Sequence, residues 1–335
     1  MNELHAGDQL DNYHLDELVA RSGMASIFRA TDSRTGQTVA IKVPHPEMEA
    51  DPLFFDRFKR EEDIGRKLDH PGVMKVMKAT DGDESEHVYI VMEWVPGRLL
   101  RNVLSEEPKL PPERAAHITQ EILEALDYIH RQGVVHRDLK PENIMVAPGD
   151  LDQAASKPLR DKIKLIDFGL AGQEGARRLT FAKLTQVMGT PAYISPEQVK
   201  GKRGDARRDI YSVGVMLYEM LTGKTPFDGP NPFAVMNDRL LNNPIPPREL
   251  DPTISPQLQE IIYRAIERDP RNRYPNAREF ARDLEHPERV GIEDRAELTD
   301  WRKRREPWQK KALFYAGLAL IPIVIFVLLI WVAKR

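Results

Sequence analysis

Residues 134–146, VVHRDLKPENIMV, decide how the rest of the chain is read. Apolar ends enclose His136, Arg137, Asp138, Lys140, Glu142 and Asn143, a dense run of ionisable and amide groups. Upstream, PPERAAHITQEILEALDYIHRQG (111–133) has the apolar spacing of a long amphipathic helix, with proline near its start and Gly133 at its end. Downstream, KLIDFGLA (164–171) reads as a strand running into Asp167. A charged connection between a helix and a strand carries no chemistry by itself. The order and spacing of the two stretches do.

In that order they resemble the catalytic loop and the metal-binding motif of eukaryotic-type protein kinases. The pattern HRDxxxxN is matched by His136, Arg137, Asp138 and Asn143, and DFG by Asp167, Phe168 and Gly169. The chain is identified as a member of the Hanks-type bacterial serine/threonine kinases, similar to their membrane-anchored representatives. The resemblance implies an α+β bilobal fold, with a small antiparallel β lobe and a larger helical lobe. It also implies transfer of the ATP γ-phosphoryl group to hydroxyls of protein substrates. Asp138 would receive the acceptor proton, and Lys140, typical of the serine/threonine-specific branch, would stabilise the transferring group. Asn143 and Asp167, hard oxygen donors, would hold Mg2+, with Mn2+ as the alternative ion.

Upstream, TVAIKV (38–43) places Lys42 on a strand where kinases keep the lysine that contacts the α- and β-phosphates. In FKREEDIGRKLDHP (58–71), Glu61 matches the helix glutamate that pairs with this lysine, with Glu62 as its competing neighbour. The phosphate loop departs from the family's GxGxxGxV. Its aligned residues are Ala20, Ser22, Ala25 and Ile27, and only Gly23 remains, in a Ser-Gly-Met arrangement that resembles bacterial members. Side chains at these positions restrict φ and hold the backbone away from phosphate, so weaker cradling is expected. The implied ATP-facing set comprises Val19, Ala20, Arg21, Ser22, Gly23, Met24, Ala25, Ser26, Ile27, Ala40, Lys42 and Glu61, with Met92, Glu93 and Val95 from the gatekeeper and hinge, and Met145. Val19, Ala40 and Met145 align with the adenine sandwich.

After Asp167, GTPAYISPEQ (189–198) puts Ser195, Pro196 and Glu197 where the family has APE. Asp209 in ARRDIYSVG aligns with the helix aspartate that braces the catalytic loop, and Arg273 in DPRNRYP with the arginine that pairs with Glu197. Arg137 beside Asp138 is the arrangement of kinases ordered by phosphorylation of their own activation segment. Thr185 is the first acceptor expected there, Thr180 the second, and Thr190, within GTPAY, the poorest. The resemblance covers about residues 10 to 287. The insertion APGDLDQAASKPLRDK (147–162) has no assigned chemistry.

The chain has 335 residues, of which 41% are hydrophobic and 30% charged, an ordinary globular composition that excludes disorder as its main theme. A formal charge of -3 gives no global field to draw it to nucleic acid, so none is expected as partner. With no cysteine, disulfides, thiolate metal sites and cysteine nucleophiles are excluded. Short β-type runs and one charged helix, FFDRFKREEDIGRKL (54–68), fill the first part, and helices the second, including DIYSVGVMLYEMLTG (209–223) and PQLQEIIYRAIERDP (256–270). NNPIPPRELDPTISP (242–256) reads as an extended loop.

One segment stands apart. Residues 312–333, ALFYAGLALIPIVIFVLLIWVA, carry no charge across 22 positions. At about 1.5 Å per residue they span roughly 33 Å, a bilayer's hydrocarbon thickness. Arg302, Lys303, Arg304, Arg305, Lys310 and Lys311 precede the run and only Lys334 and Arg335 follow it, which places the preceding part at the cytoplasmic face of a cell membrane. The first residues, MNELHAGDQLDNYHLDEL, show neither a basic stretch nor an apolar run, so no export signal is expected. The expected organisation is an N-terminal segment (1–12), a β lobe (13–95), a helical lobe (96–287), a basic linker (288–311), a membrane span (312–333) and a short tail (334–335). Self-association in the membrane plane would allow trans-autophosphorylation. The rival from another class is a nucleotide-binding pseudokinase that serves as a tethered scaffold, as the altered phosphate loop would allow.

Overall fold

The computed structural model describes residues 3–49, 52–78, 88–147, 161–167, 172–173, 191–202 and 204–293. The first part is a six-stranded antiparallel sheet in the order β1-β2-β3-β4-β6-β5. Its strands are β1 (Gln9–Leu10), β2 (Tyr13–Arg21), β3 (Ala25–Asp32), β4 (Thr38–Pro44), β5 (Val76–Met77) and β6 (Ile90–Glu93). Between β4 and β5 lie helices α1 (Pro46–Glu49) and α2 (Pro52–Lys67).

Alternation along β4 sets up the chemistry. Val39, Ile41 and Val43 join Leu15 and Phe28 on one face of the sheet, whereas Ala40 joins Phe58, Ile90 and Met92 on the other. Lys42 shares the parity of Ala40 and so faces α2. On α2, positions 54, 58 and 61 fall on one helical stripe, which brings Glu61 toward the sheet behind two phenyl rings that stack at 5.9 Å. Gly65 permits the approach, because a Cβ there would lie 2.2 Å from Val76 Cγ2.

The second part is mainly helical. It contains α3 (Leu100–Glu106), α4 (Pro112–Arg131), α5 (Pro196–Val199), α6 (Arg207–Thr222), α7 (Pro232–Leu241), α8 (Pro247–Leu250), α9 (Pro256–Ala265) and α10 (Ala277–Glu285). Short strands β7 (Arg98–Leu99), β9 (Ile144–Ala147) and β10 (Lys162–Leu165) form a sheet in the order β10-β9-β7, and β8 (Val134–Val135) pairs with β11 (Gly172–Gln173). Helix α4 buries Ala115, Ile118, Ile122, Leu126 and Ile129 along one stripe. Helix α6 is buried on every side from Asp209 to Thr222 and ends at Gly223, whose φ of 71° closes the helix by donating its N–H to Glu219 O. An all-round buried helix carries Asp209 into the interior.

Three features differ from the sequence reading. The apolar run HPGVMKV (70–76) reads as a β-type strand but gives only Val76 to β5, because Val73 bridges Leu165 and the Met74 N–H donates to Leu165 O at 2.9 Å, tying the sheet to the second part. The extended Pro-rich loop contains α8, which starts where Pro247 occupies its first turn. Helices α3, α7 and α10 had no place in that reading. Among the described residues no helix is long and apolar enough to cross a membrane, and the segment 312–333 lies outside them. Phe168, Gly169, Thr180, Thr185, Thr190 and positions 148–160 lie outside them too.

Candidate active site

Lys42, Glu61 and Asp167 meet at one point although they come from a strand, a helix and a strand end. The ammonium donates to both Glu61 oxygens at 2.7 and 2.9 Å and to Asp167 Oδ1 at 3.2 Å. Burial disfavours its charge, but the two carboxylates outweigh that and hold Lys42 protonated well above its usual range. Burial pushes Glu61 the other way, up to about 7, against the pull of Lys42. Glu62 points elsewhere and pairs with Arg66 at 2.6 Å. The choice between neighbouring glutamates thus follows from the helix stripe that Phe54 and Phe58 share with Glu61.

Asp138 is the centre of the second cluster. Lys140 Nζ donates to its Oδ2 at 2.8 Å, and Asn143 Nδ2 donates to its backbone oxygen at 2.7 Å and to Oδ2 at 3.2 Å. Lys140 reaches only Oδ2, and Asn143 the backbone oxygen and Oδ2, so neither donor takes Oδ1. The Ile166 N–H donates to the Asn143 backbone oxygen at 2.9 Å, so the segment that ends in Asp167 is registered against the turn that carries Asn143. The Asn143 amide oxygen and the Asp167 carboxylate are hard donors of the kind that suit a divalent cation such as Mg2+, and this bond draws the segments that carry them together.

The backbone around these clusters is unusual and well braced. Arg137 and Asp167 have φ of 71° and 68°, in the left-handed region that non-glycine residues rarely adopt. Arg137 is kept there by Asp209, whose Oδ1 accepts its N–H at 2.9 Å while Oδ2 accepts the His136 N–H at 2.9 Å. His130 Nε2 also bonds Asp209 Oδ2 at 2.9 Å. Burial alone would raise the carboxyl pKa, yet the hydrogen bonds from His130 and the Arg137 N–H keep it below the ordinary range. Farther out, Arg273 meets Glu197 with two parallel bonds of 2.8 Å, and both side chains are buried. Gln198 Nε2 donates to Arg137 O at 3.1 Å and joins this pair to the catalytic loop.

The β2–β3 turn is built differently. Val19 is 47% exposed, and Ala20, Arg21, Ser22 and Gly23 are exposed with it, while Ala25 and Ser26 are buried and Met24 and Ile27 half-buried. The altered loop does more than add bulk. Ser22 Oγ accepts from the N–H groups of Met24 and Ala25 at 3.3 and 3.1 Å and donates to Ala25 O at 3.0 Å. A side-chain oxygen therefore engages two amides of the turn expected to cradle phosphate. At the adenine side, Ala40 pairs with Met92 across β4 and β6 and both belong to one apolar cluster with Val95 and Ile166. Met145 lies on β9 opposite Leu99, and Glu93 Oε1 accepts from Lys164 Nζ at 2.6 Å and the Lys75 N–H at 2.8 Å.

One network was absent from the sequence reading. Arg101 of α3 donates to Glu142 Oε1 and Glu219 Oε1, each at 2.9 Å, and to the Tyr193 hydroxyl, which donates to Glu219 Oε2 at 2.5 Å. Its members are separated by 41, 118 and 92 positions from Arg101, and no local pattern links them.

A two-part fold with a lysine–glutamate pair from its sheet and helix, and an aspartate, lysine and asparagine on one loop of its helical part, is the arrangement of a protein kinase domain. The model of the protein kinase domain family matches residues 13–284, and the chain belongs to that family, among its bacterial serine/threonine members. Membership implies use of ATP with a divalent metal. A probable serine/threonine-protein kinase of Streptomyces coelicolor is 40% identical over 276 residues, covering 82% of this chain and 39% of the relative. A probable serine/threonine-protein kinase PknB of Corynebacterium glutamicum is 37% identical over 280 residues, and serine/threonine-protein kinase PknB of Mycobacterium tuberculosis 35% over 276, each covering 82% of this chain and 42% of the relative. The chain thus spans about two-fifths of the length of these relatives.

Proposed function

We propose that the chain is a serine/threonine protein kinase, anchored to the cytoplasmic face of a membrane and acting in signalling. The observation that carries the reading is the pairing of two complete clusters, Lys42–Glu61–Asp167 and Asp138–Lys140–Asn143. Asp138 accepts the proton of a serine or threonine hydroxyl as its oxygen bonds to the γ-phosphorus of ATP and the bond from that phosphorus to the ADP oxygen breaks. Lys140, already against Asp138, balances charge on the transferring group, and Lys42 neutralises the remaining phosphates. Asn143 and Asp167 would hold Mg2+ or Mn2+. When bound, the ion offsets the negative charge of the phosphate oxygens. Labelled MgATP and a generic basic protein test this: label in phosphoserine or phosphothreonine supports it, and label in phosphotyrosine alone, or none, contradicts it. Ser22 on the loop amides favours the alternative, a nucleotide-binding scaffold, which the same assay would show as binding without turnover.

Anchoring rests on the uncharged run 312–333 and its basic flank. Deleting residues 312–335 should release active enzyme from membranes, and continued pelleting in high salt would point to another anchor. Control would come from two anchored copies phosphorylating each other at Thr185 or Thr180, with Arg137 pairing the new phosphate. Mass spectrometry beside an Asp138→Asn chain tests that: phosphate retained in the inactive chain alone, or found in neither, contradicts it.

A further inference from the structure

Arg239, on α7, is among the largest fully buried side chains, with 0% exposure. A buried guanidinium ordinarily needs a carboxylate to offset its desolvation. Here the described partners are backbone carbonyls and rings. Nη1 donates to Pro191 O at 2.8 Å and Nη2 to Ala192 O, while the group lies 5.9 Å from the ring of Tyr211 and 5.6 Å from that of Phe227. Nε is buried and without a partner among the described residues. The next carbonyl, Tyr193 O, is held by Ser212 Oγ at 2.8 Å. Three consecutive carbonyls are thus tied to two helices, a restraint that packing alone does not require.

The segment so restrained is linked to the catalytic loop both before and after Asp138 in sequence. The Tyr193 hydroxyl meets Arg101, and Arg101 bonds Glu142 of the catalytic-loop turn. Gln198, a few residues farther on, bonds the carbonyl of Arg137, the neighbour of Asp138. An acceptor polypeptide that passes along this segment to Asp138 loses its in-line hydroxyl when the segment's main chain shifts. Resting on the kinase reading above, we propose that Arg239 is a positioning residue for the protein acceptor. It fixes Pro191–Tyr193 as a platform beside Asp138 and does nothing for the nucleotide.

The test uses the full chain, a generic basic protein as acceptor, and Arg239→Met and Arg239→Lys. Met keeps an apolar stem without donors and removes the buried charge; Lys keeps the charge and reaches one carbonyl. Losing both bonds should raise the acceptor KM about tenfold for Arg239→Met and roughly threefold for Arg239→Lys, with the ATP KM within about twofold of wild type. A folded Arg239→Met chain with unchanged acceptor KM, or with acceptor and ATP efficiencies falling in parallel, overturns the proposal. If that variant fails to fold, Arg239→Lys decides alone, and an unchanged acceptor KM is the contrary result. A wild-type chain that phosphorylates nothing defeats the kinase reading instead, so the two failures are told apart.

Discussion

Two loops carry the residues expected to meet nucleotide and acceptor, and they are held in opposite ways. The turn after β2 is exposed and closes on itself through Ser22, with bonds that span three residues or fewer. The loop 136–143 is braced from a distance, by Asp209 at 73 and 72 positions and Gln198 at 61. Departures from the family pattern fall in the first loop and none among the matched residues of the second. A loop that depends on remote contacts tolerates little exchange, whereas a self-contained turn can change its residues and alter only local amides. The difference between them concerns affinity at one and chemistry at the other.

The largest effect should come from the chemical side. Lys42→Met or Asp167→Ala should lower turnover roughly 10²–10³-fold, with thermal stability close to wild type, because each removes charge stabilisation rather than packing. Steady-state kinetics beside a melting curve checks this; a folded variant with normal turnover breaks the comparison at its strongest point. Next comes the brace. Asp209→Ala strands the buried N–H groups of His136 and Arg137 and should cost about 3 kcal/mol together with a fall in turnover. Denaturant unfolding that matches wild type would show the loop to be self-supporting after all.

A smaller effect concerns pH. Glu61 is raised from 4.5 to about 7, so the folded state binds its proton more readily than the unfolded state does. Its contribution to stability is fully present below pH 4.5 and is lost as pH rises through about 7. Glu61→Gln should therefore flatten the stability profile of the nucleotide-free chain between those values, and an unchanged difference from wild type across the range would contradict the burial account. The smallest effect belongs to the turn. Ser22→Gly frees the Met24 and Ala25 N–H groups and should lower the ATP KM about two- to threefold without changing kcat. Adding Ala20→Gly and Ala25→Gly should contribute little more; a rise in KM would mean that the serine-closed turn helps nucleotide binding.

Much of the fold and of this site was legible in the sequence because the relevant order is local. The spacing within 134–146 brought Asp138, Lys140 and Asn143 together through one turn, and alternation along 38–43 turned Lys42 toward the helix that carries Glu61. What escaped depends on distance. Arg101 reaches Glu219 across 118 positions, and Arg239 reaches Ala192 across 47, so neither has a neighbour in sequence that announces it. The glycine loop was legible as a departure, but not its consequence, since replacing glycine announces a Cβ and says nothing of where a hydroxyl turns. Helix α3 is too short to show a period, and HPGVMKV carried an apolar signal that serves a bridge between the two parts rather than a long strand.

The central claim is that the second loop performs chemistry that the altered first loop has not abolished. It is tested most directly by measuring, in parallel, labelled phosphoryl transfer to protein and nucleotide binding for the wild-type chain and Asp138→Asn. The account predicts transfer by wild type, loss of about 10²–10⁴-fold in the variant, and equal nucleotide affinity in both. Binding by both chains with transfer by neither would contradict it.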